Sequence, residues 1–469
     1  MTTSTEGAAD GAGGGAGKDA TWEIARWTAS VADDPLPAEV AHAARRLVVD
    51  YLAATIAGTT QPVARMVWRH VHDSYPGAQA TIVGGGPATA PGAALANGTA
   101  AHALELDDGY TPGASHPSAS TLPAVLALAE RERSDPARTL AAVAVAVEVA
   151  CRVAAAAHPA TWRRGFHNTP LAGVFGAAAG CAVLLRLPAE DAASAFGLAG
   201  SHAGGLSEFL PHGSPVKRLH AGMAARDGLL SALLAAEGIS GPPTVLEGSQ
   251  GYFAAFAGNE WDPGVLLDGL GERWMMRRTS VKPYPCCRHV HGAVDAVLKL
   301  RADHDLDPAT VTGIEVDTYT VAAYYDGTDA GTLLGAQMSM PYTVAAALCD
   351  GKLGLAQFSP ERRRAADVNR LMAAVQVRVD DELDGLYPER RPAVVRIRRS
   401  DGPELSLRVD QPYGEPSNPV DDEALSAKFH TLCAPVLGSV VADELLRAAW
   451  AFTELDLLTH GLGFFGGPG

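Results

Sequence analysis

The sequence predicts a mostly α-helical protein with a large helical domain and a smaller α+β domain. Segments rich in Ala, Leu and Val, separated by Pro and Gly, dominate residues 22–256, as is typical of packed helices that end in Gly. After about residue 271, several segments alternate apolar and polar residues, which indicates strands with one face in water. A chain of 469 residues is also long enough for two domains.

The helical domain is predicted to follow a disordered tail. Residues 1–20 are rich in Gly and Ala and of low complexity, so we expect no packed structure there. Residues 21–268 are assigned to the first part of the helical domain. Its most apolar segment, Leu140–Ala157, carries Glu148 and Arg152, which favours a buried helix over a membrane span.

Residues 269–410 are assigned to the α+β domain. The hairpin sequence "RRSDGPELSLRV" joins the last two of its predicted strands. We expect an antiparallel sheet with one face in water. Residues 411–469 are predicted to return to helix and to pack on the helical domain. The predicted strands are Val311–Val321, Val375–Asp381, Ala393–Ser400 and Glu404–Asp410.

Charge and cysteine content exclude some functional classes. The net charge is −16, which disfavours a nucleic-acid partner because phosphate groups would be repelled. Six cysteines in this length are too few for a disulfide framework. The N-terminus has no signal-peptide pattern, and no segment reads as a membrane span. We therefore expect a cytoplasmic protein without a membrane partner.

The first candidate site is the segment "HALELDDGYTPGASHPS". Three carboxylates within four residues repel one another unless a histidinium, a metal or another cation offsets their charge. A solvated loop is the alternative, with His-Pro-Ser acting only as a helix start. The ionisable residues are His102, Glu105, Asp107, Asp108 and His116.

Two further candidates each begin a predicted helix. His167 precedes a helix rich in Gly and Ala, where backbones can approach closely. Lys217, Arg218 and His220 open another helix, and a helix N-terminus near a lysine is a natural carboxylate site. Structural histidines and solvated cations explain both patterns as well.

The fourth candidate is the dense run "VKPYPCCRHVHG". Zinc binding is disfavoured because zinc ligands usually have cysteines two to four residues apart, whereas these are adjacent. A catalytic thiol activated by nearby cations, an anion site, and an inert buried cysteine pair all remain open. The residues concerned are Lys282, Cys286, Cys287, Arg288 and His291.

Other protein classes fit less well. The "ELDD" sequence also occurs in class II terpene cyclases, but those enzymes need an aromatic cavity, and only 6% of this chain is aromatic. No P-loop, Rossmann glycine motif or G-x-S-x-G elbow is present. A non-catalytic helical scaffold stays possible, although it would not need several histidine-containing clusters.

Taken together, the clusters resemble the MmgE/PrpD family, which includes 2-methylcitrate dehydratase, cis-aconitate decarboxylase and iminodisuccinate epimerase. The resemblance extends over about residues 22–457. It rests on seven ordered blocks, which are "NGTAAHALELDDGY…SHPS", "GFHNTPLAGVFGAAAG", "VKRLHAGMAARDGLLSALLAAEGISGP", "LEGSQGYFAAF", "VKPYPCCRHVHGAVDAVLKL", "AQMSMPYTVAAALCDG" and "NPVDDEALSAKF".

This resemblance implies a helical domain built from both chain ends, an α+β lid domain, and usually a homodimer. It implies a di- or tricarboxylate substrate bound between the domains, with no metal or organic cofactor. The residues it points to as catalytic are Glu105, Asp108, His116, His167 and Lys217. Those it points to for substrate binding are His220, Lys282, Cys287, Arg288, His291 and Tyr342.

The resemblance favours a lyase, and a dehydratase of a hydroxy-carboxylic acid is our first expectation. Dehydration, decarboxylation and epimerisation of such acids share proton movement at a carbon next to a carboxylate. An epimerase or a decarboxylase is therefore the alternative. Cys287 stands where the decarboxylases have a histidine that matters for activity, which argues against cis-aconitate decarboxylation.

Overall fold

The computed structural model describes residues 19–31 and 35–453. Most of the predicted tail, and the chain after residue 453, lie outside these residues. Ala20, assigned to the tail from sequence, begins the first helix and is buried. A small hairpin of strands β1 (Ala80–Ile82) and β2 (Gly86–Ala88) lies among the first helices. Helices α1 to α13 are Ala20–Val31, Ala38–Gly58, Pro62–Ser74, Ala90–Ala101, Pro117–Glu132, Pro136–Ala157, Ala160–Arg163, Asn168–Leu184, Ala189–His202, Phe209–His212, Val216–Ala236, Tyr252–Ala257 and Pro263–Leu267.

Helices α6 and α8 form the centre of the helical domain. Helix α8 packs against α5, α6, α9 and α11. Helix α6 contains the apolar segment singled out from sequence. It is long and apolar enough to cross a membrane, but 94% of its most apolar stretch is buried within the protein. Its two charges are paired inside the core, where Arg152 Nε donates to Glu148 Oε1 at 2.7 Å.

Close packing of α4 on α11 brings two candidate segments together. A Cβ added at Gly98 in α4 would lie 2.7 Å from the Cα of Gly222 in α11. No side chain fits at that distance, so the small residues let the two backbones approach. The end of α4, which carries His102, is thereby held near the start of α11, which carries Lys217 and His220.

The α+β domain has its own buried core around a four-stranded sheet of order β4-β3-β5-β6. All four predicted strands are present, as β3 (Val311–Thr318), β4 (Val375–Val379), β5 (Ala393–Arg399) and β6 (Leu405–Val409). The predicted hairpin joins β5 to β6. The wholly antiparallel sheet was wrong, because β4 runs parallel to β3. The connection between them is long and helical, as parallel pairing requires. Helices α14 to α20 are His291–His304, Thr320–Ala323, Leu333–Gln337, Met340–Asp350, Pro360–Arg363, Ala366–Ala373 and Asp381–Asp384.

The chain then returns to the helical domain through α21 (Asp422–Leu437) and α22 (Ser439–Ala451). Asp421 caps α21 by accepting a hydrogen bond from the Ala424 amide at 2.8 Å. Helix α21 packs on α2. The predominance of helix confirms the predicted mostly α-helical fold, with a four-stranded sheet in the α+β domain and one short hairpin among the first helices.

Candidate active site

A cavity lies where loops of the helical domain meet the first segment of the α+β domain. Its volume is about 120 Å³. A single water needs about 10–15 Å³ on this scale, so the cavity can hold a small polar molecule. Its ionisable lining includes Glu105, His116, His167, Lys217, Cys287, Arg288, His289, Tyr325 and Arg391.

Glu105 is held in an unusual backbone conformation next to two lysines. Its φ of 56° lies in the left-handed region, which few residues other than glycine adopt and which is common at functional sites. Its Oε1 accepts from Lys217 Nζ, and its Oε2 lies 3.4 Å from Lys282 Nζ. Burial acts to raise the pKa of Glu105, but Lys217 and Lys282 outweigh it and hold that pKa well below the usual range.

The same loop is tied to the C-terminal helix α21. Lys428 Nζ donates to the Leu106 carbonyl oxygen at 2.7 Å and to Asp50 Oδ1 at 2.6 Å. Lys428 thus joins the loop to α2 and α21 at once. Both chain ends therefore contribute to the position of Glu105.

Asp107 lies behind the cavity and contacts two histidines. His102 Nδ1 is 2.7 Å from Asp107 Oδ2, and His116 Nδ1 is 3.6 Å from the same oxygen. Burial acts to raise the pKa of Asp107, yet His102, His116 and Lys282 bring it below its usual range. The carboxylate is therefore ionised and can orient both rings.

The hydrogen bonds of His116 define its tautomer. His116 Nδ1 lies 2.6 Å from the carbonyl oxygen of Asp108, and a carbonyl oxygen can only accept, so Nδ1 carries the proton. Burial, and then the nearby Lys282, lower the pKa of His116 to about 3. The ring is therefore neutral near pH 7, with a free lone pair on Nε2.

Asp108 does not line the cavity. Its carboxylate accepts from the Ser118 amide at 3.1 Å and from the Ser118 hydroxyl at 2.7 Å, which caps the start of α5. Burial raises the pKa of Asp108 to about 8. Asp108 therefore positions α5 and His116, whereas the family resemblance points to it as a catalytic residue.

His167 and His220 form a pair at the helical side of the cavity. Their Nδ1 atoms are 3.0 Å apart, and Phe209 packs edge-on against the His167 ring at 5.3 Å between centroids. Burial, with His102 and Lys217 adding to it, lowers the pKa of His167 well below its usual value and that of His220 to about 4. His167 lines the cavity and His220 lies behind it.

The dense run at the start of the α+β domain contributes Cys287 and Arg288 to the wall, while Lys282 and His291 lie behind it. Arg288 Nε donates to Glu415 Oε1 at 2.7 Å, and its Nη1 lies 2.9 Å from His291 Nδ1. Burial raises the pKa of the Cys287 thiol despite the nearby lysines. An activated thiolate is therefore not supported.

The sequence left metal binding open for the acidic loop and disfavoured it for the cysteine run. The positions of the possible metal ligands bear on both. Within residues 19–31 and 35–453, no group of three or more His, Cys, Asp or Glu is arranged to hold a metal ion. The carboxylates are instead offset by lysines and histidines.

Tyr342 is not part of the site. Its side chain is fully buried in the core of the α+β domain, and its hydroxyl donates to the Gln357 carbonyl oxygen. The tyrosine at the cavity is Tyr325. Tyr342 lies instead against Phe358, at 5.7 Å between ring centroids, within the core of the α+β domain.

Sequence reasoning missed Tyr325, His289 and Arg391, which also line the cavity. His289 lies within the quoted run, but only its neighbours were assigned. Arg391 directly precedes a predicted strand in "ERRPAVV". No motif marks either Tyr325 or Arg391, although a charge at the start of a buried strand is a usable signal.

The sequence matches the MmgE/PrpD N-terminal domain over residues 22–263 and the MmgE/PrpD C-terminal domain over residues 284–452. The "Cis-aconitate decarboxylase" of Aspergillus terreus is 29% identical over 471 residues, which cover 94% of this chain and 94% of the relative. The "Cis-aconitate decarboxylase-like protein oryM" of Aspergillus oryzae is 28% identical over 450 residues, or 89% and 91%. The "Cis-aconitate decarboxylase" of Homo sapiens is 27% identical over 429 residues, or 88% and 87%.

Proposed function

The chain belongs to the MmgE/PrpD family, and on that premise we propose that it is a lyase that acts on a polycarboxylic acid. One observation carries the proposal, which is that Lys217 and the imidazoles of His116 and His167 face the same small cavity. Burial lowers the pKa of both imidazoles. Both are therefore neutral near pH 7 and can accept a proton.

Dehydration of a hydroxy di- or tricarboxylic acid, such as 2-methylcitrate, is the first candidate reaction. A C–H bond next to a carboxylate breaks, and its electron pair is held on that carboxylate as an enediolate. The pair then forms the C=C bond as the C–O bond on the neighbouring carbon breaks, and the departing hydroxide takes up a proton and leaves as water. His116 Nε2 can accept the carbon-bound proton, and Lys217 can stabilise the charge that develops on the carboxylate.

Substrate binding would itself strengthen His116 as a base. A nearby carboxylate favours the imidazolium form and so raises the pKa of a histidine. From about 3 in the unliganded protein, the pKa would move towards the working pH, where general-base catalysis is most effective. Proton transfer is thereby linked to the presence of an anionic substrate.

Decarboxylation is the second candidate, and it is favoured by the relatives named cis-aconitate decarboxylase. In that reaction a C–C bond breaks, carbon dioxide leaves, and the remaining carbon takes a proton.

Cys287 can separate the two candidates, because the family resemblance places a histidine there in the decarboxylases. We expect Cys287→His to raise the ratio of carbon dioxide release to water loss, with Cys287→Ser as the control. An unchanged ratio would show that this position does not choose the reaction.

A thermal-shift screen with citrate, 2-methylcitrate, cis-aconitate and iminodisuccinate tests the proposal. A ligand at about 100 times its dissociation constant should stabilise the protein by roughly 2.7 kcal/mol. Lys217→Met should abolish that shift. A folded wild-type protein that responds to none of these acids would overturn the proposal.

An experiment in deuterated water tests for an isomerase. Incorporation of deuterium at carbon, without loss of water or carbon dioxide, would indicate an isomerase instead.

We also propose a cytoplasmic homodimer that needs no metal or organic cofactor and binds neither nucleic acid nor membrane. The family resemblance supports the dimer and the cofactor-free chemistry, and the net charge of −16 supports the absence of a nucleic-acid partner. Light scattering tests the dimer. Activity that survives prolonged EDTA treatment, with no stoichiometric metal by elemental analysis, would support the absence of a metal cofactor.

A further inference from the structure

We propose that Arg391, together with the free edge of Arg288, binds a second carboxylate of the substrate. This inference rests on the proposed function and assigns it a specificity residue from the α+β domain. Arg391 lies two residues before the start of β5 and lines the cavity. Its side chain is only 6% exposed, so its charge is held inside the protein.

The hydrogen-bonding state of the two guanidinium groups carries the argument. Among the described residues, Arg391 Nε and Nη1 and Arg288 Nη2 are buried and have no hydrogen-bond partner. Buried donors are nearly always paired, because an unpaired one costs free energy. Three unpaired donors on two arginines that line one cavity are therefore arranged for an acceptor from outside the chain.

The local charge balance selects an anion as that acceptor. Glu415 Oε1 is 2.7 Å from Arg288 Nε and 3.9 Å from Arg391 Nε, so two cations share one carboxylate. The other groups that act on Arg391 are Tyr319, Tyr387 and Cys287, and burial raises the pKa of each. These three are neutral near pH 7, which leaves an excess positive charge.

The charge of the donors favours a carboxylate. Each unpaired N–H of the two guanidinium groups can donate a charge-assisted hydrogen bond to a carboxylate oxygen, and such bonds are stronger than those between neutral groups. Lys217 faces the same cavity from the helical domain. A substrate with one carboxylate at Lys217 and another at Arg391 would therefore bridge the two domains, and a monocarboxylate would satisfy only one of these cations.

Arg390 offers a matched control for mutagenesis. It is adjacent in sequence and exposed, so Arg390→Ala removes the same charge without changing the cavity. The probes are tricarballylate, which has three carboxylates but no hydroxyl group or double bond to eliminate, and butyrate, which has one. Binding is measured by calorimetry on the full-length protein.

We expect Arg391→Ala to weaken tricarballylate binding by roughly 10- to 100-fold, with little effect on butyrate and none from Arg390→Ala. The unliganded variant should melt at the same temperature as wild type or higher, because no hydrogen bond is lost. A structural role predicts the opposite, which is a lower melting temperature and unchanged affinity for the folded fraction.

Two results separate this inference from the proposed function. If Arg391→Ala binds tricarballylate as tightly as wild type while Lys217→Met binds it weakly, the inference fails and the proposed function stands. If wild type binds no polycarboxylate, both fail. Should Arg391→Ala not fold, Arg391→Lys keeps the charge but replaces the separate Nε and Nη1 donors of the guanidinium with a single ammonium group. It should lose roughly tenfold in affinity, and wild-type affinity would overturn the inference.

Discussion

The Nδ1 atoms of His167 and His220 lie 3.0 Å apart. At that distance one ring donates and the other accepts, so a single proton lies between these two nitrogens. A further proton on the accepting nitrogen would place two N–H groups face to face. Burial, with His102 and Lys217 adding to it, holds the pKa of His167 well below its ordinary value and lowers that of His220 to about 4, so both rings are neutral near pH 7.

This pair predicts a loss of stability in acid. The unfolded chain protonates His220 below its ordinary pKa of 6.5, and the folded protein does so only near 4. Between those values the unfolded state binds more protons, so the free energy of unfolding falls as pH decreases from about 6.5 towards 4. The free energy of unfolding, measured by urea denaturation, should therefore decrease less between pH 7 and pH 5 for His220→Gln than for wild type.

The control for that experiment is His72→Gln, since His72 is 71% exposed. The comparison must be between variants, because Asp108, with a pKa raised to about 8, acts in the opposite direction in every protein tested. Identical pH dependence in wild type and His220→Gln would contradict the assigned state of the pair.

His116→Gln should remove the proposed base. Glutamine can still donate to the Asp108 carbonyl oxygen, but it cannot take up a proton. We expect kcat to fall by roughly 10²- to 10⁴-fold while substrate binding, measured by calorimetry, changes little. His72→Gln serves as the control here as well. A variant with wild-type kcat would show that another group moves the proton.

Lys217→Met should reduce both stability and binding. It leaves Glu105 buried with only Lys282, at 3.4 Å, and breaking a buried ion pair costs about 3 kcal/mol. Adding Glu105→Gln should recover much of the stability, because the unpaired charge is gone, but should not recover ligand binding. If Lys217→Met has the same free energy of unfolding in urea as wild type, the ion pair between Lys217 and Glu105 does not stabilise the fold.

The two tyrosines should behave differently. Tyr325→Phe changes a side chain that lines the cavity and bonds to Cys287, so kcat/KM should fall about tenfold. Tyr342→Phe removes only the bond to the Gln357 carbonyl, so it should cost about 1 kcal/mol of stability and leave kinetics unchanged. The reverse outcome would place Tyr342 in the site after all.

Local pattern predicted the helical character of the chain and the four strands of the larger sheet, but it missed the hairpin of β1 and β2 and some of the contacts between elements. Alternation located β3 to β6 because each side chain reports which face is buried, yet it could not reveal that β4 runs parallel to β3. The pairing of Glu105 with Lys217 joins residues 112 positions apart, which spacing alone cannot supply. The resemblance brought both residues into the site.

Two of the residues that were predicted for the site, Asp108 and Tyr342, do not line the cavity. Tyr342 and Asp108 lie in motifs that also build the fold, and a motif does not say whether a side chain faces the cavity or the core. Asp108 caps α5 and Tyr342 fills the second core. Arg391 was missed for a different reason, which is that it lies in no motif, and its burial beside Glu415 identifies it in the structure.

The most direct test is a proton NMR time course in deuterated buffer with 2-methylcitrate or cis-aconitate as substrate. We predict that wild type converts at least one of them with loss of water or carbon dioxide, without added metal, and that His116→Gln is slower by at least about a hundredfold. No conversion by a folded wild-type protein that binds these acids, or equal rates in the two proteins, would contradict it.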